Sequence, residues 1–210
     1  MALHPTSVKN SFLSHLVFWA IFLPTLSTVF MPLLIPDQNI SRDEVAMVRD
    51  LGVDIDDLTA ETNKTFSDMF ISNGMMSNTE QFFSAGENAR FHTFESGWAA
   101  KWIRGVWLMI YKAIWRMKAL WLIFFLPAVA LCIPAAFDGI MARAKKKYEF
   151  GSFNPVAFYS STHLISFIIG MFVFLPLTPI ALSTVILTLM LLGIAAAVWV
   201  AASNLQAGGN

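Results

Sequence analysis

Residues 164–202 decide the fold and read LISFIIGMFVFLPLTPIALSTVILTLMLLGIAAAVWVAA. The stretch holds no charged residue, and as a single helix it would be about 58 Å long, at a rise of about 1.5 Å per residue. A bilayer core is only about 30 Å thick, so the stretch must fold back on itself. The prolines in LPLTP at 175–179 disfavour helix in the residues before them. They predict a turn there, between spans 164–178 and 181–202.

Two further apolar stretches predict two more membrane-spanning helices. Residues 13–35 carry no charge, and no small-x-small cleavage site follows them, so we interpret them as a retained span and not as a signal peptide. Residues 119–137 form the second span, where the lone Cys132 is interpreted as a small packing residue. The predicted fold class is an all-α integral membrane protein with four transmembrane helices, an amphipathic interfacial helix and a polar loop with short helices.

The composition of the 210-residue chain agrees with a membrane protein. Hydrophobic residues make up 56% and charged residues 13%, whereas a soluble domain carries about a quarter charged residues. Fourteen basic and fourteen acidic side chains give zero net charge, and there is one cysteine. These values exclude an ordinary soluble globule, a disordered chain and a disulfide scaffold. They also argue against a free nucleic-acid-binding domain, which would be basic.

After the N-terminal tail and first span (1–36), residues 37–97 form an acidic loop outside the membrane. The motif SRDE at 41–44 places a serine three residues before a glutamate, which is a capping-box pattern and predicts a short helix up to residue 51. A second short helix is predicted from Asp56 to Phe70. The carboxylates of Asp54, Asp56 and Asp57 lack the glycine and the final glutamate of a calcium loop, so we interpret them as a solvated acidic segment.

Residues 98–118 have the pattern of an amphipathic helix, because apolar residues recur at i, i+3, i+4 and i+7 and basic residues fall on the opposite side. Basic groups opposite an apolar face with four tryptophans are typical of a helix in the membrane interface. Such a helix would turn into the second span (119–137) near Lys118. The alternative is one long helix that enters the membrane obliquely. The candidate interfacial residues are Lys101, Arg104, Trp107, Ile110, Lys112, Ile114 and Arg116.

Residues 138–163 form a second predicted loop, with four basic residues beside the second span. Positive charge next to a span favours the cytoplasm, so this loop, both termini and the C-terminal tail (203–210) are predicted inside and the acidic loop outside. The basic residues of 98–118 oppose this orientation, but the rule works best over short loops. The candidate partner or membrane-surface contacts in this region are Asp138, Arg143, Lys145, Lys146, Lys147, Tyr148 and His163.

The sequence offers no recognisable catalytic or metal-binding motif. It contains no Walker loop, HExxH, GxSxG or CxxC, and its four histidines lack metal-ligand spacing. We therefore expect no enzyme activity, no cofactor and no metal. The predicted spans also hold no central Asp, Glu, Lys or Arg, which ion pumps and proton-coupled carriers generally need.

Three motifs, in a fixed order along the second half of the chain, resemble those of a known protein family. PAAFDGIMAR at 134–143 is followed by KYEFG at 147–151, by PVAFYSSTH at 155–163 and then by a hairpin of two spans. This arrangement, over residues 119–200, resembles the integrating-conjugative-element membrane protein family. Its members are bacterial inner-membrane proteins found in conjugation clusters of mobile elements and plasmids.

The resemblance implies a non-enzymatic, multi-pass inner-membrane component of a conjugative DNA-transfer (type IV secretion) apparatus, as an accessory or partner of the coupling ATPase. It carries over no catalytic residue. The expected partners are the lipid bilayer and proteins of the conjugation machine, without sequence-specific nucleic-acid binding, and a homo-oligomer is left open. One alternative is a small transporter or channel subunit. Another is a membrane enzyme that acts on lipid or peptidoglycan through acids such as Glu87 and Glu95.

Overall fold

The computed structural model describes residues 17–35, 39–85, 97–148 and 154–205, and every regular element in these ranges is helical. The predicted all-α class is therefore confirmed. The main helices are α1 (Leu23–Leu34), α2 (Arg42–Asp50), α3 (Ile55–Phe66), α4 (Met75–Ala85), α5 (Gly97–Leu120), α6 (Leu126–Tyr148), α7 (Pro155–Phe174) and α8 (Thr184–Asn204). Shorter turns adjoin them: π-helical turns at Phe18–Phe22, Ser67–Ile71 and Trp121–Phe125, and a 3-10 turn at Leu175–Leu177.

Three helical stretches are long and apolar enough to cross a membrane, namely Trp98–Lys146, Pro155–Leu177 and Thr184–Asn204. Within the predicted first span, Leu23–Leu34 is a shorter apolar helix. Residues 13–16 of that span lie outside the described ranges. The structure thus supports three spans, and the fourth stays a prediction.

The second predicted span is part of a much longer helix. α5, the π-helical turn Trp121–Phe125 and α6 follow one another without a non-helical residue, so the predicted turn near Lys118 is wrong and the alternative of one long helix describes the structure. Pro127 cannot donate a hydrogen bond to residue 123, and its ring crowds that carbonyl. The π-helical turn Trp121–Phe125, which ends two residues before Pro127, widens the helix at this point and makes room for the ring. The helix therefore continues through the proline.

Most of the predicted second loop is also helical. α6 continues through Gly139 to Tyr148, and α7 begins at Pro155, well before residue 164. The Asn154 side chain accepts a hydrogen bond from the Ala157 N–H at 3.2 Å, with proline at the first helical position. Both features favour a helix start, and the span-length estimate from apolar residues alone missed them. Of this predicted loop, residues 149–153 lie outside the description.

The C-terminal hairpin forms where the prolines predicted it. The 3-10 turn Leu175–Leu177 follows α7, and the Ser183 side chain accepts a hydrogen bond from the Ile186 N–H to begin α8. α8 packs closely against both α6 and α7 and is the central helix of the bundle. At Gly139 the approach to α8 is so close that a Cβ atom would lie 2.7 Å from the Ala202 Cβ and 2.7 Å from the Trp199 carbonyl oxygen.

Helices α2, α3 and α4, which we call the acidic lobe, pack against the N-terminal half of the long helix. Phe66 of α3 forms a buried cluster with Ile103 and Trp107 of α5, and its ring meets the Trp107 indole edge-on at 6.2 Å. The apolar face predicted for residues 98–118 is therefore present, but protein covers much of it in place of lipid. Hydrophobic periodicity shows which face avoids water and not what covers that face.

Helix α1 crosses α5 and reaches the hairpin turn. A Cβ atom on Gly105 would lie 3.0 Å from the Pro32 Cβ, and the Trp102 indole N–H donates to the Val29 carbonyl at 2.9 Å. The Ser27 hydroxyl donates to the Leu177 carbonyl at 3.1 Å. α1 thus links the long helix to the turn between α7 and α8.

Candidate functional site

The most deeply buried charges of the described chain are Arg116 of α5 and Glu44 of α2, whose side chains are 1% and 0% exposed. Arg116 Nε donates to Glu44 Oε1 at 2.6 Å, and Arg116 Nη2 donates to Glu44 Oε2 at 2.6 Å. This two-pronged geometry is the strongest form of a side-chain ion pair. It fixes the acidic lobe against the long helix.

The remaining N–H groups of Arg116 face the hairpin turn. Nη1 donates to the Thr178 carbonyl at 2.6 Å and, at 3.4 Å, to the Leu175 carbonyl. Nη2 also donates to the Ile180 carbonyl at 3.0 Å. A guanidinium has five N–H groups, and all five have acceptors here. Arg116 therefore joins three separate parts of the chain and has no N–H left over for a ligand.

Glu44 departs from the capping box that the sequence predicted. Ser41 does cap α2, because its hydroxyl accepts a hydrogen bond from the Asp43 N–H at 3.3 Å. The Glu44 carboxylate, at the third helical position, instead turns inward to Arg116. The local motif predicted the helix start correctly. The glutamate pairs with Arg116 and does not complete the cap, because a buried guanidinium without a counter-charge would cost far more free energy than an incomplete cap.

The opposite end of the long helix carries a second polar arrangement. The Trp199 indole N–H donates to Asp138 Oδ2 at 2.6 Å. Lys146 Nζ lies 3.1 Å from Asn204 Oδ1 and 3.4 Å from the Ser203 carbonyl, at the C-terminus of α8. A cation at the last carbonyls of a helix is favourable. Asp138 and Lys146 thus fix the end of α8 to α6.

The residues predicted as interfacial do not form one lipid-facing surface. Lys101 and Arg104 are exposed, Trp107 is buried, and Ile110 and Ile114 are half-buried under the acidic lobe. Lys112 is only 4% exposed, so its predicted place on a solvated face is wrong. Arg116 is buried as described above.

The predicted contact residues of the second region lie in the C-terminal half of α6, except for His163, which lies in α7. Asp138 and Lys145 are exposed and Tyr148 is 83% exposed, whereas Arg143, Lys146 and His163 are half-buried. The side chain of Lys147 lies outside the description. From Arg116 to Asp138 the helix rises about 33 Å. The structure therefore places the interfacial residues and the contact residues of 138–148 on opposite halves of one helix, with His163 on α7, and does not bring the two groups together.

The sequence reasoning missed Glu44 and the Thr178 carbonyl as partners of Arg116. Glu44 lies 72 positions away from Arg116, and the Thr178 carbonyl belongs to backbone that any residue could supply. No spacing rule joins such positions. Among the described residues, no group of three or more His, Cys, Asp or Glu is arranged to hold a metal ion.

Comparison with known proteins shows that the chain matches one protein family. A family model described as "IncC plasmid conjugative DNA transfer protein DtrJ-like" matches residues 33–206, which is most of the chain. The match includes Glu44, Arg116 and the hairpin turn. Neither the curated proteins nor the solved structures give a match.

Proposed function

The chain belongs to the DtrJ-like family of conjugative DNA transfer proteins, and we propose that it is a non-enzymatic, multi-pass inner-membrane component of the transfer apparatus. The assignment to conjugal-transfer proteins, which the motifs of residues 134–163 indicated, is confirmed by this membership. The family match over residues 33–206 is the observation that carries the proposal. Three helices apolar enough to span a membrane support the membrane location.

We place the far end of α6, and both chain termini, in the cytoplasm. The support is the basic cluster in the last turns of α6, where Arg143, Lys145 and Lys146 follow directly on an apolar segment. Positive charge beside a span favours the cytoplasmic side. The acidic lobe, at the other end of the long helix, then lies on the opposite side of the membrane.

The proposed mode of action is to hold partner proteins and not to catalyse a reaction. Arg116 and Glu44, the most buried charges described, engage each other and the hairpin turn, so they serve the fold. We propose that the coupling ATPase of a type IV secretion system is one partner, at the cytoplasmic end of α6. The exposed Tyr148 and Lys145 support a protein contact at that end, because they present an aromatic ring and a charge there. The choice of the ATPase rests on the family resemblance alone.

Deletion of the gene, followed by a mating assay, tests the role in conjugation. We expect the deletion to abolish or sharply reduce DNA transfer while growth stays normal, and a wild-type copy supplied in trans to restore transfer. Normal transfer by the deletion strain would overturn the proposal. Co-purification of the tagged chain with the ATPase from detergent-solubilised membranes tests the partner separately.

Arg143→Ala is a milder probe of the cytoplasmic end, because three lysines remain beside the span to hold the orientation. We expect reduced transfer at a normal amount of protein in the membrane. Lys101→Ala, an exposed basic residue at the other end of the long helix, is the matched control. Equal effects of the two substitutions would contradict a contact surface at the cytoplasmic end.

A further inference from the structure

Two cavities share Trp121 as a wall residue, just beyond the last charged residue before the apolar segment. The first is a cleft of about 690 Å³ between the acidic lobe and the long helix, and Trp121 lines its apolar wall. The second is a groove of about 370 Å³ that continues along α6, where Trp121 again forms part of the wall. The Trp121 ring stacks on Phe125, another residue of the groove wall, at 4.2 Å between centroids.

We propose that the two cavities together bind one phospholipid whose headgroup carries a primary ammonium, as phosphatidylethanolamine does. The headgroup occupies the cleft, and one acyl chain follows the groove. This site serves the protein in the membrane and does not depend on a role in conjugation.

The position of the cavities along the helix fits the two halves of a lipid. Lys118, in the wall of the cleft, is the last charge before the uncharged stretch 119–137. Cys132, in the wall of the groove, lies about 21 Å further along the helix axis. The cleft is thus at headgroup level and the groove at hydrocarbon level, with a tryptophan at the boundary where that residue is enriched.

The groove needs an apolar occupant because the helices around it leave it open. α6 and α7 both pack on α8 but make hardly any close backbone contact with each other. Their side chains, among them Val129 and Ile169, form the walls, and Ile194 of α8 also lines the groove. An apolar groove at this depth suits hydrocarbon, and because the groove and the cleft share Trp121 in their walls, we assign it the chain of the lipid whose headgroup the cleft accepts.

The charges of the cleft select the headgroup. Asp54, Asp57 and Glu61 contribute three carboxylates, against the single ammonium of Lys118. Asp54 Oδ1 caps α3 by accepting hydrogen bonds from the N–H groups of Asp56 and Asp57. We therefore assign the incoming ammonium to Asp57 and Glu61, which lie in the first two turns of α3 beside the cleft. Lys118 Nζ lies 3.4 Å from Glu61 Oε2, and it is the cation that a lipid phosphate would meet.

Other common headgroups fit this cleft less well. A phosphatidylglycerol headgroup has a negative charge without a positive one, and the excess of carboxylates would repel it. A phosphatidylcholine headgroup has a positive charge but no N–H to donate to Asp57 or Glu61. The expected order of binding is therefore ethanolamine first, choline second and glycerol last.

Native mass spectrometry of the purified full-length chain in detergent tests the proposal. The probes are phosphatidylethanolamine, phosphatidylcholine and phosphatidylglycerol with identical acyl chains, together with soluble phosphoethanolamine. We expect the ethanolamine lipid to be retained about fivefold or more over the glycerol lipid, and soluble phosphoethanolamine not to displace it. Equal retention of the two lipids would overturn the proposal, and displacement by phosphoethanolamine would show a site for the free headgroup instead.

Variants then test each half of the site. Asp57→Asn with Glu61→Gln should remove the preference for ethanolamine, whereas Asp56→Asn with Asp68→Asn, two exposed acids that do not line the cleft, should keep it.

Val129→Trp fills the groove from a position that is 41% exposed and should reduce retention of all three lipids. Ile169→Trp fills it from α7 if Val129→Trp fails to fold. An unchanged preference in the Asp57 and Glu61 variant, or unchanged retention in both tryptophan variants, would overturn the proposal.

Discussion

Arg116 and Glu44 are 72 positions apart in the chain, yet their charged groups meet at 2.6 Å inside the protein. The same guanidinium binds carbonyls at Leu175, Thr178 and Ile180. One side chain thus sets the position of the acidic lobe relative to the hairpin turn. Because a guanidinium is planar and its donors are fixed, lysine could not replace it at this point.

Glu44→Gln tests this link. The substitution keeps the shape of the side chain but leaves the buried positive charge of Arg116 without its counter-charge. Removing one partner of a buried ion pair costs about 3–5 kcal/mol. We expect the unfolding temperature of the purified protein in detergent to fall by roughly 10 °C, on the usual scale for a chain of this size.

Glu61→Gln is the matched control for Glu44→Gln. Glu61 also pairs with a cation, Lys118, but at 3.4 Å and with its side chain 71% exposed. Exposed pairs contribute about 0–1 kcal/mol, so the unfolding temperature should hardly change. A fall as large as that of Glu44→Gln would mean that burial is not what makes the Arg116 pair important.

Gly139→Ala tests the contact between α6 and α8. The added methyl group would lie 2.7 Å from the Ala202 Cβ and 2.7 Å from the Trp199 carbonyl oxygen, and neither atom is at the end of a flexible side chain. Forcing the two helices apart costs about 1–3 kcal/mol. Thermal unfolding in detergent measures the loss.

Gly193→Ala controls for the general effect of replacing a helical glycine. Its added methyl group would meet only the Ile168 Cδ1, at 3.3 Å, which can rotate away. Alanine also favours helix over glycine by about 1 kcal/mol, so we expect a stability equal to the wild type or slightly higher. The helix-contact argument fails if Gly139→Ala is no more harmful than Gly193→Ala.

Ile110→Asp tests how the acidic lobe packs on α5. Ile110 is packed against the cluster of Phe66, Ile103 and Trp107, and a carboxylate placed there loses its hydration without gaining a partner. We expect a loss of several kcal/mol and faster proteolysis within the lobe. Arg104→Ala, at an exposed position of the same helix, should change stability by less than about 0.5 kcal/mol. The buried Lys112 is unsuitable as a surface control.

The orientation is tested by reporter fusions at the two ends of the bundle. Alkaline phosphatase inserted at Gly74, between α3 and α4, should be active if the acidic lobe lies outside the cytoplasm as we propose. The same reporter after the last residue, Asn210, should be inactive. The reverse result would invert the orientation and move the basic end of α6 away from the cytoplasm.

The sequence predicted the apolar helices well and their ends poorly. Residues 164–202 predicted a hairpin with its turn at the prolines. The bilayer thickness limits the length of one helix, and each proline disfavours helix in the residue before it, so both signals lie within this one segment. The end of α6 is not predicted from the sequence, because the first charges after the apolar stretch indicate the end of a span and not the end of the helix. A helix can continue past its apolar stretch, and in the structure it does so as far as Tyr148.

The polar contacts could not be predicted from local patterns. The helical pattern predicts that the face of α5 with Arg116 is solvated, because basic residues usually are. Nothing near that position indicates that Glu44 and three backbone carbonyls would surround it. These contacts depend on how distant segments of the chain pack together. The hydrophobic periodicity of one helix does not indicate which segments pack against it.

The bonds of Arg116 also determine when the protein can finish folding during its synthesis. The Ile180 carbonyl follows Arg116 by 64 residues, so at about 5–20 residues per second it is made about 3–13 s later. Until then the guanidinium has Glu44, already synthesised, but not the turn. The acidic lobe can therefore dock on the long helix first, and arrival of the hairpin completes the set of bonds. A ribosome stalled before residue 175 would leave a chain whose lobe is attached and whose membrane bundle is still open.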